Sequence, residues 1–180
     1  NASKALERGA PTAEILGIRL ERHPGLFWGM PLPLYRAEVF LRELPETIDL
    51  LHLLSLNDPL TRSMLKIRHV LGGDSKRREI IRAVALSVRA MHEAGLYHND
   101  LHLKNILITK SASGGPLKAY IIDLDKSSLH ESLSLNQRIK NLLRLDRSVE
   151  KFMTVGAYRN TPLRPITQGD RLRFLRDYMG

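Results

Sequence analysis

The chain of 180 residues contains no cysteine, which excludes a disulfide scaffold, a thiolate zinc site and a cysteine nucleophile. Aromatic residues make up only 6%, and none interleaves with a basic patch, so we expect no nucleic-acid partner that binds by base stacking. The apolar runs are short, and none approaches the roughly 18 residues that a membrane span requires. A signal-peptide pattern and a G-x-G-x-x-G loop are also absent from the sequence.

The remaining composition is that of an ordinary globular protein, with 43% hydrophobic and 26% charged residues. Lys and Arg total 28 against 19 Asp and Glu, which gives a net charge of +9. The excess is uneven, because residues 138–180 hold ten basic and four acidic residues. A basic surface attracts nucleic acid, a phosphorylated substrate or an acidic membrane; the alternative is a solvated helix face.

The first part of the chain shows the two-residue period of half-buried strands. Apolar and polar residues alternate in Glu14–Arg22 and again in Tyr35–Arg42. The two stretches therefore predict an antiparallel pair of strands. Residues 23–33 between them contain three prolines and two glycines, which predicts a loop.

After Pro45 the pattern becomes mostly helical. The Arg77–Ala94 helix should end at Gly95 in a left-handed cap, and the last helix should begin near Thr167 with Asp170 completing a capping box. The Gln137–Met153 helix should turn Ile139 inward. The predicted elements after Pro45 are helices over Ile48–Leu56, Arg77–Ala94, Gln137–Met153 and from Thr167, with a β-hairpin of Ile106–Thr109 and Ala119–Ile122.

The residues that suggest chemistry lie between positions 98 and 125. His98, Asp100 and Asn105 form the pattern H-x-D-x-x-x-x-N, and Asp123 follows at the end of an apolar strand. Phosphoryl transfer needs a carboxylate that orients the acceptor hydroxyl, and Mg²⁺ held by hard oxygen ligands. Asp100 suits the first role, while Asn105 and Asp123 suit the second. In this loop, His98 is more typical of a structural hydrogen-bonding residue than of a base.

This constellation, with two strands, a long helix and a hairpin in the same order, resembles the protein-kinase-like fold from about residue 13 onward. The resemblance implies an α+β protein with a mostly helical C-terminal lobe and a truncated N-terminal sheet. Residues 1–45 would be the remnant of the N-terminal lobe with its hinge, and residues 46–180 the C-terminal lobe. By position in that fold, ATP would meet the hinge at Arg42, Glu43 and Leu44.

Four sequence stretches are similar to a narrower family, the bacterial lipopolysaccharide core kinases of the Kdo kinase and heptose kinase type. They are YHNDLHLKNILI, IIDLDK, NLLRLDRS and ITQGDRLRFLRDY. The similarity implies that ATP and Mg²⁺ are used to phosphorylate Kdo or heptose in a lipopolysaccharide precursor. The enzyme would be cytoplasmic and peripheral at the inner face of the bacterial inner membrane, and an anionic, membrane-borne substrate fits the basic C-terminal quarter.

Two other functions stay open. His102 stands where protein kinases usually carry Lys, and DLHLKN is closer to small-molecule kinases of the aminoglycoside and choline type. Another small-molecule kinase or a protein kinase of the same fold is therefore possible, as is a pseudokinase that only binds. The phosphate-covering loop, the strand Lys and the helix Glu of such kinases have no counterpart here. We expect them to precede Asn1, and the segment alone to be inactive.

Overall fold

The computed structural model describes residues 2–27, 30–54, 74–109, 115–154 and 166–180. It is a mixed helix and strand protein, with long strands near the N-terminus and long helices later in the chain. The elements in chain order are α1 (Ala2–Glu7), β1 (Ile15–Phe27), β2 (Met30–Leu41), β3 (Thr47–Asp49), α2 (Leu50–Leu54), α3 (Asp74–Glu93), β4 (Leu96–Tyr97), a 3₁₀ turn (Leu103–Asn105), β5 (Ile106–Thr109), β6 (Lys118–Ile121), β7 (Ser128–Leu129), α4 (Leu135–Thr154) and α5 (Gln168–Met179).

β1 and β2 form the predicted antiparallel pair, a two-stranded ribbon in which Ile18 lies opposite Val39. The loop predicted over residues 23–33 is wrong, because the strands continue to Phe27 and restart at Met30. Pro24 and Pro33 lie opposite each other within this pairing. A strand with a single partner has an outer edge, where the missing N–H of proline breaks no ladder bond.

A three-stranded sheet in the order β3-β5-β6 lies next in the chain. The prediction that Ile48–Leu56 begins as a helix is wrong at its start, since Thr47–Asp49 is a strand. Ile48 pairs with Ile108 of β5, and both are buried. This tertiary pairing overrides the local pattern, and the helix starts only at Leu50; residues 55 and 56 lie outside the described ranges.

α3 provides the centre of the hydrophobic core. Its buried face packs with the β5–β6 hairpin, and the Ser87 hydroxyl donates to the carbonyl of Ala119 at 2.7 Å. The backbone N–H of Leu117 donates to Glu79 at 3.0 Å, and this bond is the main reason that the pKa of Glu79 is lowered. The buried apolar residues of α3 are Ile80, Ala83, Val84, Ala85, Val88 and Met91.

The end of α3 confirms the predicted left-handed cap. Gly95 has a φ of +78°, and a Cβ there would collide with the carbonyl oxygen of His130. The same contact includes a hydrogen bond from the N–H of His130 to the carbonyl of Gly95 at 2.9 Å. Glycine is therefore required at this position both by conformation and by space.

Residues 2–13 pack against the core and the β5–β6 hairpin rather than extending the ribbon. Ala5 and Ala10 belong to the same core cluster as Met91, and Arg8 donates to the carbonyl of His130 at 2.7 Å. The N–H of Ile121 donates to the carbonyl of Pro11 at 2.7 Å. The segment thus covers the free edge of β6.

α4 packs one face against the hydrophobic core. Leu145 and Phe152 are buried, and Leu142 and Val149 pack against the core. The prediction that Ile139 faces inward is wrong, because its side chain is 42% exposed. The inward stripe passes through the buried polar residue Asn141 instead, which a purely apolar search misses.

α5 begins with the predicted capping box. The Thr167 hydroxyl accepts from the N–H of Asp170 at 3.2 Å, and the Thr167 N–H donates to Asp170 at 2.8 Å. Arg77 of α3 also donates to this carboxylate, at 2.5 Å. Burial alone would raise the pKa of Asp170, but the bonds from Arg77 and Thr167 outweigh it and lower the pKa. Within the described ranges, no helix combines the length and the apolarity needed to cross a membrane.

Candidate active site

His98 fixes the start of the candidate catalytic loop. Its Nε2 lies 3.0 Å from the carbonyl oxygen of Ile122, which can only accept, so Nε2 carries the proton. Its Nδ1 then accepts from the backbone N–H of Asp100 at 3.1 Å. Burial is the main cause that lowers the pKa of His98, which favours this neutral tautomer. Both nitrogens are occupied, so His98 supports the loop and is not placed to act as a base.

Asn105 connects the two aspartates of the motif. Its amide nitrogen donates to the backbone carbonyl of Asp100 at 3.0 Å and lies 3.5 Å from the carboxylate of Asp123. Its backbone N–H and C=O bind His102 and Ile122, each at 3.0 Å. Because the amide nitrogen is occupied, the amide oxygen is the atom left to ligate a cation. The structure therefore brings Asp100, Asn105 and Asp123 together.

Asp123 follows β6 in an unusual backbone conformation. Its φ is +62°, which is uncommon for a residue with a side chain and is often found where function fixes the geometry. The pKa of the neighbouring Asp125 is lowered, mainly by the side chain of Asp123 and next by the N–H of Lys126, which donates to Asp125 at 2.8 Å. Two adjacent carboxylates concentrate negative charge at this corner.

The donor set fits Mg²⁺. An amide oxygen from Asn105 and a carboxylate from Asp123 are hard ligands, and Mg²⁺ is typically bound by one or two carboxylates together with phosphates and waters. Among the residues that the structure describes, no group of three or more His, Asp or Glu side chains is arranged to hold a metal. With two protein ligands, the remaining positions around the ion would be filled by phosphate oxygens and waters.

The side chain of Asp100 is open to an acceptor. It is 41% exposed, and its carboxylate lies 3.9 Å from Nε2 of His102. The backbone of Asp100 is held by His98 and Asn105, whereas the carboxylate is left to accept from a ligand hydroxyl. This combination of a fixed backbone and a free carboxylate is what a general base needs.

The hinge residues lie at a distance from these three side chains. They connect β2 to β3, where Arg42 binds Glu14 and the carbonyl of Leu44 accepts from Thr47 at 3.2 Å. Within the described residues Glu43 makes no hydrogen bond, so its N–H and C=O are available to a ligand. The hinge lies beyond the Thr109 end of β5, about 13 Å along the strand from the end that Asn105 precedes.

Asn141 of α4 holds the loop that begins at His98. The sequence analysis did not identify this residue. Its side-chain oxygen accepts from the N–H of His98 at 3.1 Å, and its nitrogen donates to the carbonyl of His98 at 2.9 Å. Ser148, also on α4, accepts from the N–H of Leu103 at 3.1 Å. The sequence contained one indication of this role. An asparagine at an inward position of a helix has a buried amide, and a buried amide needs hydrogen-bond partners.

A second buried histidine extends this network to the C-terminal helix. Nε2 of His92 lies 3.2 Å from the Asn141 oxygen, and Nδ1 lies 2.7 Å from the Tyr178 hydroxyl. The Asn141 oxygen can only accept, so Nε2 carries the proton and the Tyr178 hydroxyl donates to Nδ1. Burial is the main cause that lowers the pKa of His92 to about 4, so this link is neutral near pH 7.

Comparison with known proteins places this site in a family. Residues 30–178 match the model of the lipopolysaccharide kinase (Kdo/WaaP) family. The chain is 31% identical over 145 residues to a 3-deoxy-D-manno-octulosonic acid kinase of Vibrio cholerae, an alignment that covers 81% of this chain and 48% of the relative. It is 31% identical over 106 residues to the lipopolysaccharide core heptose(I) kinase WaaP of Escherichia coli, covering 58% of this chain and 36% of that enzyme.

A solved structure shows the same fold. The structure described as WaaP in complex with acyl carrier protein superposes with a TM-score of 0.64 at 23% identity, over 99% of this chain and 63% of that one. The chain spans about half the length, or less, of the curated relatives that it matches. The protein-kinase-like catalytic motif and the family match agree: the chain belongs to the lipopolysaccharide kinase (Kdo/WaaP) family.

Proposed function

We propose that the protein is an ATP-dependent phosphotransferase that phosphorylates an inner-core sugar, Kdo or heptose, of a lipopolysaccharide precursor. Asp100 accepts the proton of the sugar hydroxyl, and Asn105 and Asp123 hold Mg²⁺ with the nucleotide. The family match supports the class of enzyme and of acceptor. The observation that carries the residue roles is the convergence on Asn105, which binds Asp100 at 3.0 Å and lies 3.5 Å from Asp123.

The division of work in this site follows from exposure and charge. Mg²⁺, when bound, would neutralise charge that develops on the transferred phosphoryl group. The backbone around Asp100 is fixed by His98 and Asn105, so its carboxylate can orient a hydroxyl without reorganising. The unbonded peptide groups of Glu43, between Arg42 and Leu44, would bind the adenine edge.

We further propose that residues 1–45 contribute an N-terminal lobe and hinge and that residues 46–180 form the C-terminal lobe. The ribbon supports this division because Ile18, Leu20 and Val39 are each more than half exposed, as expected of strands from a larger sheet. Residues 2–13 would be the part of the upper lobe that rests on the lower one, through Ala5 and Ala10. We also propose a cytoplasmic location, peripheral at the inner face of the bacterial inner membrane.

The test is ATP turnover by the full-length protein with a delipidated inner-core acceptor. Asp100→Asn should lower kcat by about 10²–10⁴, the contribution typical of general base catalysis. Asp123→Asn should raise the Mg²⁺ concentration needed for half-maximal rate, because a neutral amide replaces a carboxylate on a hard cation. Lys118→Gln, on the exposed surface of β6, is the matched control and should leave both quantities unchanged.

The alternatives give different outcomes in the same assay. Transfer to choline, an aminoglycoside or a peptide in preference to the core sugar would assign the protein to another kinase class. ATP binding without transfer to any acceptor would indicate a pseudokinase. Near-normal turnover by Asp100→Asn would remove Asp100 as the base.

A further inference from the structure

The basic residues of the C-terminal quarter fall into two groups that differ in their pairing. On α5, Arg171 lies 3.0 Å from Asp146, Arg173 lies 3.1 Å from Asp170, and Arg176 lies 2.7 Å from Asp177. On α4, none of the five cations forms an ion pair with a described residue. Arg138 donates to the carbonyl of Leu133 at 3.4 Å. The side chains of the other four make neither contact with a described residue and are the unpaired cations, Lys140, Arg144, Arg147 and Lys151.

The unpaired cations form one row. Their spacing of four, three and four residues keeps them on one side of a helix, over about 17 Å. Asp146 and Glu150 lie on the neighbouring strip, but Arg171 reaches both, at 3.0 and 3.6 Å. The acids on the outer surface of α4 are therefore compensated from α5, whereas the row itself is left with its positive charge.

An apolar row occupies the first half of the strip whose second half holds Asp146 and Glu150. Leu135, Ile139 and Leu143 follow one another at intervals of four residues, and their exposed fractions are 72%, 42% and 54%. On α5, Leu172 is also exposed, next in sequence to Arg171. Exposed apolar residues that form a continuous patch mark an interaction site more often than scattered ones do.

The cationic row adjoins the flank of α4 that holds the catalytic loop. Arg144 lies one turn before Ser148, which accepts from the N–H of Leu103, and three residues after Asn141, which binds His98. A partner that docks on the row therefore lies close to the loop that carries Asp100.

We propose that this basic–apolar face, defined by Lys140, Arg144, Arg147 and Lys151 with Leu135, Ile139 and Leu143, docks on an anionic lipid bilayer. Cations on one side and aliphatic residues on the other are the pattern of a helix that lies in a membrane interface. The charge complements anionic headgroups, and the aliphatic side chains enter the acyl boundary. The inference rests on the proposed function, because docking here would hold the catalytic loop near a lipid-linked acceptor.

The test is flotation of the protein with vesicles of phosphatidylglycerol and phosphatidylethanolamine, compared with phosphatidylcholine alone. Lys140→Gln/Arg147→Gln should weaken binding to the anionic vesicles about 25-fold, from about fivefold for each basic residue near the surface. Arg82→Gln/Lys118→Gln removes the same charge from α3 and β6 and should bind like the wild type. Ile139→Ser/Leu143→Ser should reduce binding even in high salt, where charge is screened.

Several outcomes would overturn the proposal. Equal binding to anionic and neutral vesicles, or an equal loss in the control pair, would show that the face has no specific role. Acyl carrier protein binding that the face variants abolish, with no vesicle binding, would make the face a protein-docking site instead. Turnover of a delipidated acceptor separates the two claims: if the full-length wild-type protein lacks it, the proposed function fails, whatever the vesicles show.

Discussion

The β1–β2 ribbon and the β5–β6 hairpin are both antiparallel pairs, but their surroundings differ. In the ribbon, Ile18 is 62% and Val39 53% exposed although they lie opposite each other. In the hairpin, Ile108 and Ala119 also lie opposite each other, and each is only 3% exposed. The comparison shows that two strands can pair without a second layer that buries their apolar face. Burial of that face is a separate contribution to the stability of the pair.

The first way to sharpen the comparison is to remove the hydrogen bonds that hold the loop leading into the hairpin. Asn141→Leu removes both bonds to the His98 backbone and the bond to His92, and leaves those buried groups unpaired. We expect the free energy of unfolding to fall by about 3–5 kcal/mol, measured by urea titration. Asn136→Leu, on the exposed start of the same helix, should change it by less than about 0.5 kcal/mol. Similar losses for both variants would contradict the role of Asn141.

The second prediction uses pH. The pKa of His92 is lowered from 6.5 to about 4 in the folded state, so the unfolded chain takes up this proton at higher pH. The contribution is complete above about pH 6.5 and is lost as pH falls toward 4, by about 3 kcal/mol in total. His92→Gln should flatten this loss, by up to about 1.4 kcal/mol per pH unit, in unfolding measured from pH 7 to 4.5.

A control separates titration from packing. Tyr178→Phe removes the hydroxyl that binds His92 but leaves the imidazole able to take up a proton. It should therefore lower stability at every pH and keep most of the pH dependence. An unchanged slope in His92→Gln would show that another group carries the acid sensitivity.

The third prediction compares the same Ile→Thr substitution in the hairpin and in the ribbon. Ile108→Thr puts a hydroxyl and a smaller side chain into the core and should cost about 2–3 kcal/mol. Ile18→Thr exchanges one β-branched residue for another on an exposed face, and should cost less than about 0.5 kcal/mol. We compare the losses in the free energy of unfolding of the two variants, measured by thermal or urea unfolding. Their difference is the contribution of burial. Equal costs would mean that the ribbon is covered in solution.

The smallest effect is expected at the base of the ribbon. Glu14 and Arg42 form an ion pair at 2.6 Å, but their side chains are 48% and 62% exposed. Exposed pairs contribute little because water and salt screen them. Glu14→Gln should therefore change the free energy of unfolding by no more than about 0.5 kcal/mol, at low and at high salt. A larger loss would show that the hinge depends on this pair.

The sequence pattern predicted those features that depend only on residues close together in the chain. The strand pairing around Ile18, the left-handed Gly95 and the capping box of Thr167 and Asp170 all follow from period or conformation, and the structure confirms each. The half-burial predicted from the same alternation is wrong, because Ile18 is 62% exposed. The loop predicted over residues 23–33 was wrong, because proline excludes a central strand but not a strand with a free edge. The strand at Ile48 was missed because its partner lies sixty residues away.

The candidate site shows the same division. The spacing of Asp100, Asn105 and Asp123 was enough to select them, and the structure brings the three together. Their support could not be read from spacing, because Asn141 lies far along the chain and its partners are backbone groups of His98. Because every residue has a backbone carbonyl and nearly every residue a backbone N–H, no residue type in the sequence marks these hydrogen-bond partners.

Under the proposed function, the two hydrogen bonds between Asn141 and His98 would also affect the entropy of turnover. One rigid amide holds both the N–H and the C=O of the same residue, so rotation of the two adjoining peptide planes is restricted. A free loop residue loses about 1–2 kcal/mol of backbone entropy when it is ordered. Here that ordering is completed once, when the chain folds, and does not recur each time an acceptor binds. In the proposed reaction, the loop that carries Asp100 would therefore already be ordered when a substrate binds.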